Sequence, residues 1–179
     1  IGSLKIRSGG KSGTATGVPL RVNLTVTDAS SNYRALADAA VYLWHCDRLG
    51  RYSLYSAGVT GKNYLRGIQP TDAAGTASFK TIFPGCYDGR WPHIHFEVYS
   101  SVAKAVSSGP IVKTSQIALP AAICKKVYAT TRYPGSTAAL SHTTLTSDNV
   151  FGDDGGVHQL ATVTGSVKTG YVANLTIGV

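Results

Sequence analysis

The chain has 179 residues and a formal net charge of +8; 43% of its residues are hydrophobic and only 15% are charged. This length suits one domain with a sizeable buried core, so we expect residues 1–179 to form a single domain. No run of about 18 apolar residues occurs, which argues against a membrane-spanning helix. The 17 Lys and Arg are scattered. This disfavours nucleic-acid binding and leaves either steering of anionic small molecules or a solvated basic surface.

Strand-like segments in the first half of the chain are short and separated by turn residues. Residues 19–28 alternate apolar and polar side chains, as a half-buried strand does. Residues 38–47 form a denser apolar run, which predicts a central strand followed by a turn at 47–50. Residues 64–85 predict a strand, a turn at 71–75, a second strand and a break at the Pro-Gly pair.

The second half of the chain is also mainly extended. It predicts strands at 93–100 and 113–120, a short helix at 121–130, a loop at 146–156, and a closing hairpin of 157–167 with 170–179. Because strands dominate and the helices are few and short, we predict an all-β fold. Its expected architecture is a single β-sandwich with Greek-key-like connections.

Cysteine content and the first residue bear on the cellular compartment. The chain has three cysteines, which permits one disulfide and one free thiol without identifying the pair. It begins at Ile1 and contains no Met, so we expect a processed or truncated form. The absence of Met and the low content of Lys and Glu favour an extracellular, secreted protein.

The segment GCYDGRWPHIHFEV, residues 85–98, places two histidines one residue apart. Since side chains on a strand point to one side at every second residue, His93 and His95 are expected to converge on one point. Tyr87 follows the Pro-Gly break, which would turn its side chain into the same region. Tyr52 lies just beyond the end of the predicted central strand. Two imidazoles and two phenols therefore form a candidate ligand set.

The donor chemistry of this set favours ferric iron. A phenolate is a hard, anionic oxygen donor that suits a highly charged ion, and imidazole also binds iron. Zinc sites use His, Cys and carboxylates instead. Each residue also has a structural alternative. The histidine pair could lie on the surface, and Tyr52 and Tyr87 could simply pack against other side chains.

A succession of short blocks resembles one enzyme family. The blocks are AAVYLWHCD (39–47), GRYS (50–53), LRG (65–67), TDAAG (71–75), FKTIFPGCY (79–87), RWPHIHF (90–96) and KTSQ (113–116). In this order they resemble the intradiol ring-cleavage dioxygenases, non-haem ferric enzymes that include catechol 1,2- and protocatechuate 3,4-dioxygenases. The resemblance covers residues 18–120. The C-terminal tail, residues 121–179, is most similar to a secreted bacterial branch of the family.

The resemblance implies a role for each metal ligand. Tyr52 in GRYS and Tyr87 in PGCY match the two tyrosinate ligands of Fe(III), and His93 and His95 match the two histidine ligands. Tyr87 matches the axial tyrosinate, which leaves the iron when substrate binds and then serves as a base. Tyr87 is therefore predicted to be both a ligand and a catalytic residue.

Three more residues are implied in catalysis or substrate binding. Arg90 matches an active-site arginine, with a structural pair to a carboxylate such as Asp88 as the alternative. Gln116 matches a glutamine near the substrate, and it could instead orient a ligand. Tyr64 is expected to line the substrate pocket, with core packing as the alternative.

The implied reaction is Fe(III)-dependent cleavage of a catechol ring by O2 between the two hydroxylated carbons, giving muconate-type diacids. The partners would be O2 and a small aromatic diol, such as catechol, protocatechuate or a lignin-derived aromatic, and a carbohydrate-binding module could lie outside this chain. Two other interpretations stay open. One is a non-catalytic β-sandwich binding module with a structural metal, and the other is a zinc hydrolase that adds Glu97 to the histidine pair.

The resemblance also has departures. The loop between Tyr87 and His93 is short, and the chain has no room for the N-terminal helical region of larger relatives. We therefore expect a more open pocket, and the quaternary structure of those relatives does not carry over.

Other residues near the site are assigned mainly structural roles. Trp44 and Trp91 could wall the substrate ring, but Trp44 on a central strand is predicted to be a core residue. His45 is predicted to be a buried histidine with its hydrogen bonds satisfied, and His142 and His158 are predicted to be on the surface.

A thiolate beside ferric iron would be open to oxidation. We therefore predict that Cys46 or Cys86 forms a disulfide, with Cys124 as its partner.

Overall fold

The structure is a computed structural model, and it describes residues 13–179. Within these residues the chain forms nine strands: β1 Pro19–Asp28, β2 Arg34–Ala35, β3 Ala40–Trp44, β4 Arg66–Pro70, β5 Thr76–Ile82, β6 His93–Tyr99, β7 Lys113–Ala118, β8 Thr162–Ser166 and β9 Gly170–Gly178. The same residues also form three short α-helices, α1 Val102–Val106, α2 Ala121–Tyr128 and α3 Ser136–Ser141, and a 3-10 helix at Ala29–Ser31.

The strands form two sheets. One has the order β2-β1-β9-β8, with β5 also paired to β1, and the other has the order β4-β3-β6-β7. β1 is antiparallel to β5 but parallel to β9, from the Leu20–Tyr171 pair to the Thr27–Gly178 pair. The prediction of an all-β sandwich is confirmed. The prediction of one domain over 1–179 stays a prediction, since residues 1–12 lie outside the described part.

The core lies between the inner faces of the two sheets. Alternate residues of β1, from Leu20 to Val26, are buried, and so are Ile94, Phe96 and Val98 of β6. Each such side chain contributes about 1.5–3 kcal/mol by its burial. Because side chains on a strand alternate between its two faces, burial of Ile94 and Phe96 in the core places His93 and His95 on the outer face.

Most of the predicted elements are present. The closing hairpin is confirmed as β8 antiparallel to β9, although β8 is shorter than predicted, and the short helix is confirmed as α2. Helices α1 and α3 were not predicted. No helix within residues 13–179 is long and apolar enough to cross a membrane.

Helix α1 covers one end of the outer face of the four-stranded sheet. Its Val102 and Ala105 pack against a small cluster that includes Ile68 and Tyr99. The rest of this outer face is not covered by α1. The predicted histidine ligands project from it.

Candidate metal centre

Two loops and one strand carry the four predicted ligands. His93 and His95 project from β6, Tyr52 lies in the loop after β3, and Tyr87 lies in the segment between β5 and β6. The two loops meet at Gly85, whose N–H donates to the Asp47 carbonyl at 3.0 Å. A Cβ at Gly85 would lie only 2.8 Å from that carbonyl oxygen, so a glycine is required for the loops to approach this closely.

The structure brings the four donor atoms together. Tyr52 Oη lies 3.2 Å from Tyr87 Oη and 3.1 Å from Nε2 of both His93 and His95. Tyr87 Oη lies 3.3 Å from His93 Nε2, and the two Nε2 atoms are 3.1 Å apart. Donors about 2.0–2.1 Å from one ion are roughly 3.3 Å apart in a tetrahedral arrangement. The observed spacing therefore fits four ligands of one metal ion.

The electrostatics of the cluster also suit a metal. Burial lowers the pKa of His93 to about 4, and burial followed by the nearby His93 lowers the pKa of His95 to about 3. Both imidazoles are therefore neutral at pH 7 and offer lone pairs. Burial raises the pKa of Tyr52 and of Tyr87, so both phenols stay protonated unless a strongly charged cation is beside them.

The two histidines are held in different ways. His93 Nδ1–H donates to the Trp91 carbonyl at 2.5 Å, which directs its Nε2 lone pair into the cluster. The ring of His95 stacks on Trp44, with ring centroids 4.8 Å apart and planes 5° apart, and Trp44 in turn stacks on Tyr42. The prediction that Trp44 belongs to the core is wrong. Leu43 occupies the inward position on β3, so Trp44 faces outward.

Arg90 and Gln116 lie together beside the ligands. Arg90 Nη2 donates to Gln116 Oε1 at 2.6 Å, and Gln116 pairs with His95 in the register of β6 and β7. The carboxylate that pairs with Arg90 is Asp148, with Nε 2.9 Å from Oδ2, and not Asp88, which is exposed. Asp148 was missed because a single Asp in a polar loop gives no local signal of a long-range partner.

Tyr64 contacts a different pair of side chains. Its hydroxyl donates to Asp47 Oδ2 at 3.0 Å, and Arg51 Nη2 binds the same oxygen at 2.9 Å. The Tyr64 phenol therefore binds the Asp47–Arg51 pair and lies outside the group of four donor atoms.

The remaining ring side chains divide into buried and exposed groups. His45 is buried, with Nδ1 2.8 Å from the Cys46 carbonyl and Nε2 2.7 Å from Thr81 Oγ1, so its prediction is confirmed. Trp91 is also buried, and its Nε1–H donates to the Leu119 carbonyl. His142 and His158 are exposed, as predicted.

Glu97 does not join the ligands. Its Oε2 accepts a hydrogen bond from the Tyr99 hydroxyl at 2.6 Å. Within residues 13–179, no group of three or more His, Cys, Asp and Glu side chains forms a metal site. A site at the histidine pair therefore depends on the two phenols.

The predicted disulfide is wrong, because all three cysteines are free and buried. Cys46 Sγ lies 3.4 Å from the Gly85 carbonyl, Cys86 Sγ 3.6 Å from the Arg90 carbonyl, and Cys124 Sγ 3.8 Å from the Leu119 carbonyl. Burial raises the pKa of each thiol, to about 12 for Cys86. The thiols therefore stay protonated, which removes the reason given for a disulfide.

Both the sequence and the fold are similar to known proteins. The family model described as Dioxygenase matches residues 5–108, more than half of the chain. No curated protein matches the sequence.

Solved structures of similar fold include an intradiol ring-cleavage dioxygenase from Tetranychus urticae, with 24% identity, a TM-score of 0.74, and coverage of 93% of this chain and 83% of that one. A second is the dioxygenase domain of a dioxygenase carbohydrate-binding protein fusion from Streptomyces sp. SirexAA-E, with 23% identity, a TM-score of 0.62, and coverage of 94% and 83%. A third is catechol 1,2-dioxygenase from Acinetobacter sp. ADP1, with 18% identity, a TM-score of 0.54, and coverage of 92% and 52%.

Proposed function

We propose, because this chain belongs to the intradiol ring-cleavage dioxygenases, that it binds Fe(III) and uses O2 to cleave catechol rings between the two hydroxylated carbons. The observation that carries the proposal is the cluster of two phenol oxygens and two imidazole nitrogens 3.1–3.3 Å apart. Tyr52, Tyr87, His93 and His95 would hold the iron. The donor set fits, since phenolate favours a hard, highly charged ion.

Iron, when bound, would act as a Lewis acid that makes the catechol hydroxyls more acidic and prepares the ring for O2. The chain's own residues must then accept protons and hold the ring. The raised pKa of Tyr87 means that its phenolate is a strong base, so Tyr87 Oη is suited to take a proton from a catechol hydroxyl.

Tyr87 is better suited than Tyr52 to leave the metal and act as this base. Tyr52 Oη lies within 3.2 Å of each of the other three donors, whereas Tyr87 Oη lies close to Tyr52 and His93. Tyr87 could therefore move away while Tyr52 and both histidines would still hold a metal.

Arg90 and Gln116 would act on the substrate. The Arg90 guanidinium lies beside Gln116, which pairs with the ligand His95, so it would stabilise negative charge that develops on a ring bound there. Because Gln116 Oε1 accepts a hydrogen bond from Arg90, its amide N–H groups are directed elsewhere and can donate to a substrate oxygen.

The net charge of +8 favours anionic aromatic acids, so we propose protocatechuate-like and lignin-derived catechols alongside catechol itself, with muconate-type diacids as products. Action outside the cell and a carbohydrate-binding module beyond this chain are parts of the same proposal. Fractionation of the source culture with an antibody to the protein would test the first, and the size of the detected protein would test the second.

The visible absorption spectrum of the purified protein tests the proposed function. Iron-loaded wild type should show a tyrosinate-to-Fe(III) charge-transfer band that shifts to longer wavelength when catechol is added without oxygen. Tyr52→Phe should lose this band, while Tyr33→Phe, a matched change of an exposed tyrosine, should keep it.

Three other results would contradict the proposal in different ways. A protein that stays colourless after reconstitution with iron does not assemble the ligand set. A coloured protein with no catechol-induced shift would favour the binding module with a structural metal. Zinc binding that survives Tyr52→Phe would favour the hydrolase.

A further inference from the structure

We propose that Asp148 is a positioning residue of the iron site, acting on Arg90 and on the backbone that anchors His93. This inference rests on the proposed function. Asp148 lies in the loop between α3 and β8, outside the residues 5–108 that match the family model. The tail of the chain would thus complete a site whose other residues come from earlier segments.

The Asp148 side chain is fully buried, and both of its carboxylate oxygens accept hydrogen bonds. Oδ2 accepts from Arg90 Nε at 2.9 Å and from the Trp91 backbone N–H at 2.7 Å. Oδ1 accepts from the backbone N–H groups of Val150 at 2.8 Å and Phe151 at 3.2 Å. A buried carboxylate is stable only when it is compensated in this way, so its position is tightly determined.

The carboxylate links the loop to a metal ligand through the backbone. Asp148 holds the N–H of Trp91, and the carbonyl of the same residue accepts the hydrogen bond from His93 Nδ1 at 2.5 Å. A shift of Trp91 would therefore turn the His93 imidazole. The hydrogen bond on the far nitrogen of a metal-bound histidine typically changes metal affinity or activity about 10–100-fold when it is lost.

Asp148 also determines the direction of the Arg90 guanidinium. Nε is held by Asp148 and Nη2 by Gln116, so two sides of the planar group are fixed. Nη1 makes no hydrogen bond to any residue from 13 to 179, which leaves its N–H groups available to a substrate. A free arginine side chain samples many rotamers, and the pair with Asp148 removes that freedom before substrate binds.

The test compares Asp148→Asn with Asp153→Asn, a matched change of an exposed carboxylate in the same loop. Asparagine keeps the size of the side chain but presents an amide to Arg90 Nε and the Trp91 N–H. For Asp148→Asn we expect kcat per bound iron to fall about 10–100-fold, with the charge-transfer band retained. Asp153→Asn should leave both unchanged.

If Asp148 has only a structural role, stability and iron content should change while turnover does not. Asp148→Asn would then lower the thermal midpoint and the fraction of protein that binds iron, while kcat per bound iron stays at the wild-type value. That result would overturn the proposal. Arg90→Lys provides a further check. If Asp148 acts through Arg90, Asp148→Asn should lower kcat per bound iron less in the Arg90→Lys protein than in wild type.

A nuclear magnetic resonance measurement keeps the proposal testable if the variant does not fold or the chain has no dioxygenase activity. In the full wild-type chain, free of metal or loaded with diamagnetic Ga(III), the Arg90 Nε–H should give a slowly exchanging signal, assigned by its loss in Arg90→Lys. Its absence would show that the guanidinium is not held. Its presence in a protein without activity would sustain the positioning geometry while the proposed function fails.

Discussion

Acidification is expected to destabilise the iron-free protein through His45. The imidazole is 1% exposed, and its two nitrogens lie against the Cys46 carbonyl at 2.8 Å and Thr81 Oγ1 at 2.7 Å. In the neutral form, Nδ1–H donates to the carbonyl and Nε2 accepts from the hydroxyl. Burial of the ring lowers its pKa from 6.5 to about 4, because a proton added there would place a charge in the interior.

The size of the effect follows from the two pKa values. In the unfolded chain His45 binds a proton near pH 6.5, whereas in the folded protein it does so only near pH 4. The unfolded state is therefore favoured as pH falls through this interval, and above pH 6.5 the group adds no pH dependence. The two pKa values differ by about 2.5 units, and each unit corresponds to about 1.4 kcal/mol. The free energy of unfolding therefore falls by about 3 kcal/mol by the time the pH reaches 4.

Urea denaturation at several pH values measures this loss. The free energy of unfolding of wild type should fall between pH 6.5 and 4, and the fall should be smaller in His45→Gln by about 3 kcal/mol. His93 and His95 are also buried and add to the wild-type slope, so only the difference between the two proteins reports on His45. His142→Gln changes an exposed histidine and is the control. Equal slopes in wild type and His45→Gln would refute the reasoning.

Three further predictions concern stability, ligand orientation and thiols. Tyr133→Phe should lower the free energy of unfolding by about 2–4 kcal/mol in urea titrations, because the buried hydroxyl accepts from the Val18 N–H and donates to the Phe83 carbonyl, both at 2.9 Å; a change under 0.5 kcal/mol would contradict these bonds. Trp44→Leu should speed the loss of iron to a chelator about 10-fold or more, with Trp44→Phe intermediate, because the stack on His95 is removed; equal loss rates would show that stacking does not orient the ring. Mass spectrometry should find three alkylated cysteines in unfolded, unreduced protein and none in the native protein; a residual disulfide would contradict the structure.

Local sequence patterns were sufficient for most strands and for the pair of histidine ligands. The alternation in β1 predicts its buried face, since the period of two and the sandwich core leave one solution for Leu20 to Val26. The spacing of His93 and His95 places both rings on one side of β6 for the same reason. Tyr87 and Tyr52 needed the resemblance as well, because a phenol after a turn has no fixed direction.

The features that were missed depend on contacts between distant segments. Nothing in the pattern of β9 distinguishes a parallel partner from an antiparallel one, so its pairing with β1 could not be predicted. The direction of Trp44 follows from which neighbour takes the core position, and in a run of apolar residues either choice fits the pattern. The thiols illustrate the same difficulty, since three cysteines in one sequence do not show which carbonyl each sulfur faces.

The C-terminal tail shows why site prediction is least secure beyond the resemblance. Tyr133 binds Val18 and Phe83, and Asp148 binds Arg90, so the tail joins residues that are far apart along the chain. Each of these bonds uses a single buried polar group, which leaves no periodic trace in the sequence. A family model that ends at residue 108 therefore contains the ligands without the carboxylate that orients their neighbour. Metal affinity and turnover should therefore respond to different substitutions. Substitutions within the ligand set should abolish metal binding, whereas substitutions at Asp148 should mainly lower turnover.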